Sequence, residues 1–176
     1  MKKENLTNKQ TKQFTTKKLV LSALFAALIF TTTYMFKIPS PLGYVHLGDA
    51  FIYLAGAILP LPFAIASSAI GAALSDGLGG YFIYILPSVI IKAMTALCFT
   101  NKTIKIITKR NLLAIIPSFF LCVGGYYIFE VIIQQNFVSP LSSIIGNIGQ
   151  VLISGLLFIL IGLSLDKIKF KNIIRL

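Results

Sequence analysis

The sequence predicts an all-α membrane protein, a bundle of six transmembrane helices with both termini in the cytoplasm and with helices two and three short. Three observations predict it. Of the 176 residues, 56% are hydrophobic and only 12% are charged, against roughly 25% charged in soluble domains. The charges are segregated, since Lys37, Asp49, Asp76 and Lys92 are the only charged residues between Leu19 and Phe99. The apolar runs also approach the roughly twenty residues that a helix needs to cross a hydrocarbon core of about 30 Å, at a rise near 1.5 Å per residue.

From the N-terminus, residues 1–17 read as a basic cytoplasmic tail, expected to be mobile, and residues 18–176 as a single six-helix domain. The first span is 18–36. Its apolar run of about eighteen residues is too long for the core of a usual signal peptide, so it reads as an uncleaved helix. Residues 49–76 are apolar but contain Pro60-Leu61-Pro62. Two prolines so close remove amide donors and clash with the preceding turn, so this stretch reads as a tight hairpin of two short helices. At about thirteen residues each they reach only about 20 Å, and must be tilted in a thinned bilayer or shielded by other helices or a partner. The fourth span is 81–99. Pro87 suits the first turn of a helix, so the regular helix begins either near Tyr81 or at Pro87, the latter leaving 77–86 as an outer loop or partly re-entrant segment. The fifth and sixth spans are 112–133 and 143–165.

Charge sets the orientation. Fourteen of the sixteen Lys and Arg residues fall in the tail, in the 100–111 loop and near the C-terminus, whereas the loops of the opposite side hold Lys37 alone. Basic residues confined to one side mark the cytoplasmic face. Their position beside apolar spans also decides what a net charge of +11 means: attraction to lipid headgroups, not nucleic acid, because no globular domain remains to present a groove. Cys98 and Cys122 lie in apolar runs as small hydrophobes, and no disulfide framework or zinc pattern is readable.

Placed by depth, the polar residues collect near the outer face. His46 and Asp49 stand at the start of the second helix and Asp76 after the third. Glu130 and Gln134 are four apart near the outer end of the fifth helix, and Asn147 and Gln150 three apart on the sixth, hence each pair shares a face. Lys92 is the deepest charge. These eight residues are the candidate substrate contacts of a polar pocket open to the outside, because charged and amide groups within a membrane normally face the bundle interior or a cavity. Most of them have a plainer reading. Asn147 and Gln150 can simply tie helices together, Lys92 and Glu130 can pair with each other, His46 can be an interfacial residue, and Asp49 can cap a helix N-terminus. That last reading suits Asp76 poorly. Small residues recur at Ser22, Ala23, Ala26 and Ala27 and again at Ala64, Ser68 and Ala72, faces that let helices approach closely.

No catalytic, metal or cofactor site is expected. There is no H-E-x-x-H, no serine and histidine pairing at membrane depth and no G-x-x-x-x-G-K-[ST] phosphate loop, so the chain is not read as an enzyme and cannot hydrolyse ATP. The alternatives are a stand-alone secondary transporter or channel and, second, an intramembrane enzyme. Against a secondary transporter, the polar residues crowd one face and no inverted repeat is visible.

The run Ser22-Ala23-Leu24-Phe25-Ala26-Ala27, then Gly43-Tyr44-Val45-His46-Leu47-Gly48-Asp49, then Gly71-Ala72-Ala73-Leu74-Ser75-Asp76 and Pro87-Ser88-Val89-Ile90-Ile91-Lys92 resembles, in that order, the substrate-binding S components of energy-coupling factor (ECF) transporters. It is most similar to the riboflavin-transporter-like branch. The resemblance implies a multi-pass subunit of a bacterial plasma membrane that captures a vitamin or vitamin precursor from outside. Its implied partners are a transmembrane coupling protein and two ATPase subunits, with Ala23 and Ala27 as the coupling-protein interface and the first outer loop as a gate. No single vitamin's signature is matched.

Overall fold

A computed structural model describes residues 2–40 and 43–174, with side chains described for 16–39 and 45–174. The backbone of the basic tail is helical and continuous with the first span from Lys2 onward. The order is α1 (Lys2–Met35), β1 (Ile38–Ser40), β2 (Gly43–Val45), α2 (Asp49–Ile58), α3 (Leu61–Leu78), a short 3-10 turn (Phe82–Tyr84), α4 (Ile85–Leu97), α5 (Lys109–Leu113), α6 (Ile115–Gln134), α7 (Leu141–Lys167) and α8 (Phe170–Ile174). This is an all-α membrane protein. Four segments are long and apolar enough to cross a bilayer: Thr16–Met35, Leu61–Leu78, Lys109–Gln134 and Leu141–Lys167; Asp49–Ile58 and Phe82–Leu97 are shorter apolar helices.

The hairpin at Pro60-Leu61-Pro62 forms where two prolines require it, with Pro62 in the first turn of α3, where a missing amide donor costs nothing. Its two arms are unequal, which corrects one expectation. α2 has 10 residues, but α3 has 18 and is not short. Asp76 therefore lies in the last turn of α3 instead of following the helix; Gly77 and Leu78 continue the helix past it, and Gly80 then turns the chain with a φ of 79°. The fourth span takes the later of its two starting points, more or less: α4 opens at Ile85 with Pro87 in its first turn, preceded by the 3-10 turn. The loop before α2 holds a two-stranded antiparallel sheet, Ile38 opposite Val45 and Ser40 opposite Gly43, that sequence reasoning did not foresee.

Packing explains how a helix of about 15 Å survives at membrane depth. α2 sits against α1, α3, α4 and α7, and nine of its residues are buried. Lipid never has to cover it, because neighbouring helices do. Its Tyr53 stacks on Phe99 at 4.8 Å and meets the edge of Phe158 at 5.9 Å, which fixes the apolar core. Around α2, contacts run from α1 to α3, α3 to α4, α4 to α6 and α6 to α7. The α1–α3 contact needs a glycine. A Cβ on Gly71 would lie 2.8 Å from Ile29 Cβ and 2.9 Å from the Ala26 carbonyl oxygen. The second small-residue stripe, Ala64, Ser68 and Ala72, is buried, and so serves packing.

At the end of the bundle remote from the β-hairpin, three polar side chains replace missing backbone partners. The Asn111 amide accepts from Thr100 N (2.9 Å) and donates to Thr100 O (3.0 Å) and Ile106 O (2.9 Å). Asp166 accepts from the amides of Ile106 and Ile107 at 2.7 and 2.9 Å. Lys171 on α8 donates to the carbonyls of Ala57, Asn101 and Thr103 at 2.7 to 2.9 Å, so the last short helix clamps the end of α2 to the α4–α5 connection.

Candidate ligand-binding site

The described helices turn polar side chains inward. On α6 the buried residues are Ser118, Cys122, Tyr126 and Glu130, four apart and hence on one face. On α7 the inward face carries Ser143, Asn147, Gln150 and Ser154, and on α4 Ser88, Lys92 and Thr95. In lipid the apolar side can face outward and polar groups must find each other. These three seams meet the start of α2.

The inner group is built on an ion pair. Lys92, seven residues or about 10 Å into α4, places its Nζ 2.7 and 3.0 Å from the two Asp49 carboxylate oxygens. Both residues are almost fully withdrawn, at 2% and 1% exposure. Gln150 completes the carboxylate's shell by donating from Nε2 to Oδ2 at 2.8 Å, while its Oε1 accepts from the backbone amide of His46 at 3.0 Å. One amide side chain thereby ties the loop before α2 to the ion pair. Cys122 Sγ lies within 4 Å of Lys92 Nζ, Asp49 Oδ2 and Gln150 Nε2, and Lys92 Nζ stands 5.1 Å from the centre of the Tyr126 ring. Tyr126 OH in turn meets Ser88 Oγ at 2.9 Å.

His46 closes the loop side. Its Nδ1 accepts from Gly48 N at 3.0 Å, which leaves the ring proton on Nε2. Burial, partly offset by the Asp49 carboxylate, pushes the imidazole down to about 3, so the ring is neutral. Gly48 is glycine because a Cβ there would meet Thr33 Oγ1 at 1.9 Å.

A second group lies toward the hairpin end. Glu130, 3% exposed, accepts from Ser143 Oγ and, at 3.4 Å, from Tyr84 OH. Tyr84 packs on Phe129 and Tyr126, ring centres 5.7 and 6.5 Å apart. Asn147, 7% exposed, stands on α7 between Ser143 and Gln150, and makes no side-chain hydrogen bond among the described residues.

Four of the eight candidates, His46, Asp49, Lys92 and Gln150, thus form one connected group. Two expectations are corrected. Lys92 pairs with Asp49 and not with Glu130, because the start of α2 faces α4 in the interior. Asp49 is not an N-cap; Gly48 holds that position and offers no side chain, leaving the Asp49 carboxylate to Lys92. Asp76 is buried at the end of α3 near Lys37, whose Nζ donates to the Ser75 carbonyl at 3.3 Å and sits within electrostatic reach of Asp76. Gln134 ends α6 partly exposed, and no side-chain hydrogen bond or ion pair ties it to either group among the described residues. Sequence reasoning missed Ser88, Cys122, Tyr126 and Ser143, although Ser88, Tyr126 and Ser143 stand four residues from Lys92, Glu130 and Asn147, and Cys122 stands eight from Glu130.

A separate feature is an apolar groove between α1 and α3, lined by Ser22, Ala23, Ala26, Ala27, Phe63 and Ala66 among others. Ala23 and Ala27 are exposed in it, whereas Ser22 and Ala26 are buried against α3.

Residues 13–167 match the family described as ECF-type riboflavin transporter, S component. No curated protein matches the chain.

Proposed function

The chain belongs to the family of ECF-type riboflavin transporter S components, and on that premise we propose that it captures riboflavin, or a related vitamin or precursor, from outside the cell and delivers it inward together with a coupling protein and ATPases. Such a subunit needs no catalytic group. It needs a stereochemically defined polar site and a means of exposing it. The six apolar helical stretches act as six spans, both termini lie in the cytoplasm, and the hairpin end faces outward; the distribution of fourteen basic residues supports this orientation.

The observation that carries the reading is the polar seam at the outer half of α4, α6 and α7, with an unpaired Asn147 amide between two satisfied groups. A nearly buried amide that makes no hydrogen bond within the described residues is left for another group to complete. A ligand with adjacent donor and acceptor atoms does so. Glu130 and Gln150, one on each side, would exchange part of their present bonding for ligand contacts, and His46 and the loop before α2 would close over the site through the His46–Gln150 bond. The exposed Ala23 and Ala27 would receive the coupling protein, since helices in lipid associate through small faces.

The test is riboflavin titration of the purified full-length chain in detergent without ATP, followed by flavin fluorescence, with mass spectrometry of co-purified small molecules alongside. Losing a polar contact that leaves its partner unpaired costs about 1 to 3 kcal/mol, roughly ten- to a hundredfold in affinity. Alanine at Glu130, Asn147 or Gln150 is therefore expected to weaken binding by that factor. Wild-type affinity in all three variants would place the site elsewhere.

A further inference from the structure

The charges of the polar seam do not balance. Asp49 and Lys92 compensate each other at 2.7 Å, and the His46 ring is neutral. Near the rim, Lys37 stands within electrostatic reach of Asp76. Glu130 is what remains. It is 3% exposed, its oxygens meet only the hydroxyl groups of Ser143 and Tyr84, and no cationic side chain reaches it among the described residues. Hydroxyl donors alone leave the charge of this carboxylate uncancelled by any cation, so it acts on whatever lies beside it.

That field covers the place where a ligand would have to sit. Asn147, nine-tenths buried and without a hydrogen-bond partner among the described residues, lies one helical turn inward of Ser143, which itself holds Glu130. A ligand engaging the Asn147 amide is therefore within several ångströms of the carboxylate, on the inner side of which the ion pair is already closed. We propose that Glu130 acts as a charge filter, making the site selective for an uncharged or cationic ligand and against the phosphate ester of the same molecule. This inference rests on the capture reading given above. A negative charge about 6 Å from Glu130, at an effective dielectric near 20, is disfavoured by about a hundredfold, and a phosphate dianion by more.

Three probes separate charge from bulk: riboflavin, its 5′-phosphate and its 5′-acetate, the last a neutral ester that also enlarges the side chain. With wild-type full-length chain in detergent, riboflavin and the 5′-acetate are expected to bind within about tenfold of each other. The 5′-phosphate should bind at least about a hundredfold more weakly than riboflavin. In Glu130→Gln, which keeps the shape and an acceptor, riboflavin affinity is expected to fall, while the gap between riboflavin and the phosphate narrows at least tenfold. If that variant does not fold, the wild-type comparison of phosphate with acetate still decides. Equal rejection of both esters means the site excludes bulk, and overturns the inference; so does a phosphate bound as well as riboflavin, or an unchanged gap in Glu130→Gln. If the wild type binds none of the three, the capture reading itself fails and the filter falls with it.

Discussion

Two opposite charges 2.7 Å apart and removed from water exchange a large desolvation cost for a large mutual attraction. What they contribute together is small, but what either does alone is severe. Asp49→Asn or Lys92→Met alone is expected to lower unfolding stability by about 3 to 5 kcal/mol, and the two together to restore most of that loss. Denaturant unfolding of the purified protein would show it; additive losses would mean the two side chains are not energetically coupled. His46 makes a second prediction, in pH. Burial holds the folded imidazole near 3, against 6.5 in the unfolded chain. Between those values the unfolded state takes up a proton that the folded state refuses. Stability is therefore complete above pH 6.5 and is lost as pH falls toward 3, by up to about 1.4 kcal/mol per pH unit. Unfolding midpoints measured from pH 7.5 down to pH 4.5 should fall, and His46→Gln should flatten the slope. An unchanged slope in the variant would show that other groups carry it.

Close helix approach is the element-scale property that the sequence announces most clearly and grades least well. Gly71 and Gly124 both look like small residues on apolar helices, yet a Cβ at Gly71 would strike Ile29 and the Ala26 carbonyl, whereas at Gly124 it meets nothing within 4 Å. Gly71→Leu is expected to destabilise by about 1 to 3 kcal/mol through overpacking, with Gly124→Leu close to neutral; thermal unfolding of the two variants in one detergent checks the contrast. Much else at this scale was legible. Pro60 and Pro62 mark the hairpin because proline acts locally, through its missing amide and its ring. The length of α3 was not legible from the same reasoning, since Asp76 looks like a helix boundary until the interior shows room for a carboxylate inside the last turn. The sheet before α2 escaped for a similar reason: Pro39 hides an edge strand, and pairing depends on contacts across the loop. The pairing of Lys92 is the clearest case. Sequence depth brings Lys92 and Glu130 into question as partners, but only the inward turn of the start of α2 shows that Asp49 reaches the lysine first.

For the whole molecule the orientation is the first thing to test. Cysteine at Gly77, where a Cβ makes only an ordinary contact with Ile85, or at Ser139 is expected to react with an impermeant thiol reagent added to intact cells, and cysteine at Thr103 is not. Labelling at Thr103 would reverse the bundle. The second test separates capture from transport, because the polar seam and the α1–α3 groove are formed by different surfaces. Tryptophan at both Ala23 and Ala27 fills the exposed side of that groove and would hold a partner helix away. Uptake in cells and co-purification of a coupling protein should be lost, with riboflavin binding in detergent changed less than about threefold, since exposed positions remote from a site rarely alter it. Uptake that survives both tryptophans, or binding that fails with it in a folded protein, would remove this face from the mechanism.

The burial of α2 has a consequence for biosynthesis. A helix of ten residues is too short to be recognised and released into the bilayer by itself, and one whose neighbours cover it on nearly every side has no finished environment until those neighbours arrive. Its chance to enter comes with α3, across the proline turn, as one re-entering pair. On the proposed orientation Asp49 crosses before Lys92 on α4 has been made, so during synthesis the carboxylate lacks the partner that neutralises it in the finished protein. The order in which this chain is made thus exposes, for a time, the very charge that the finished protein hides best.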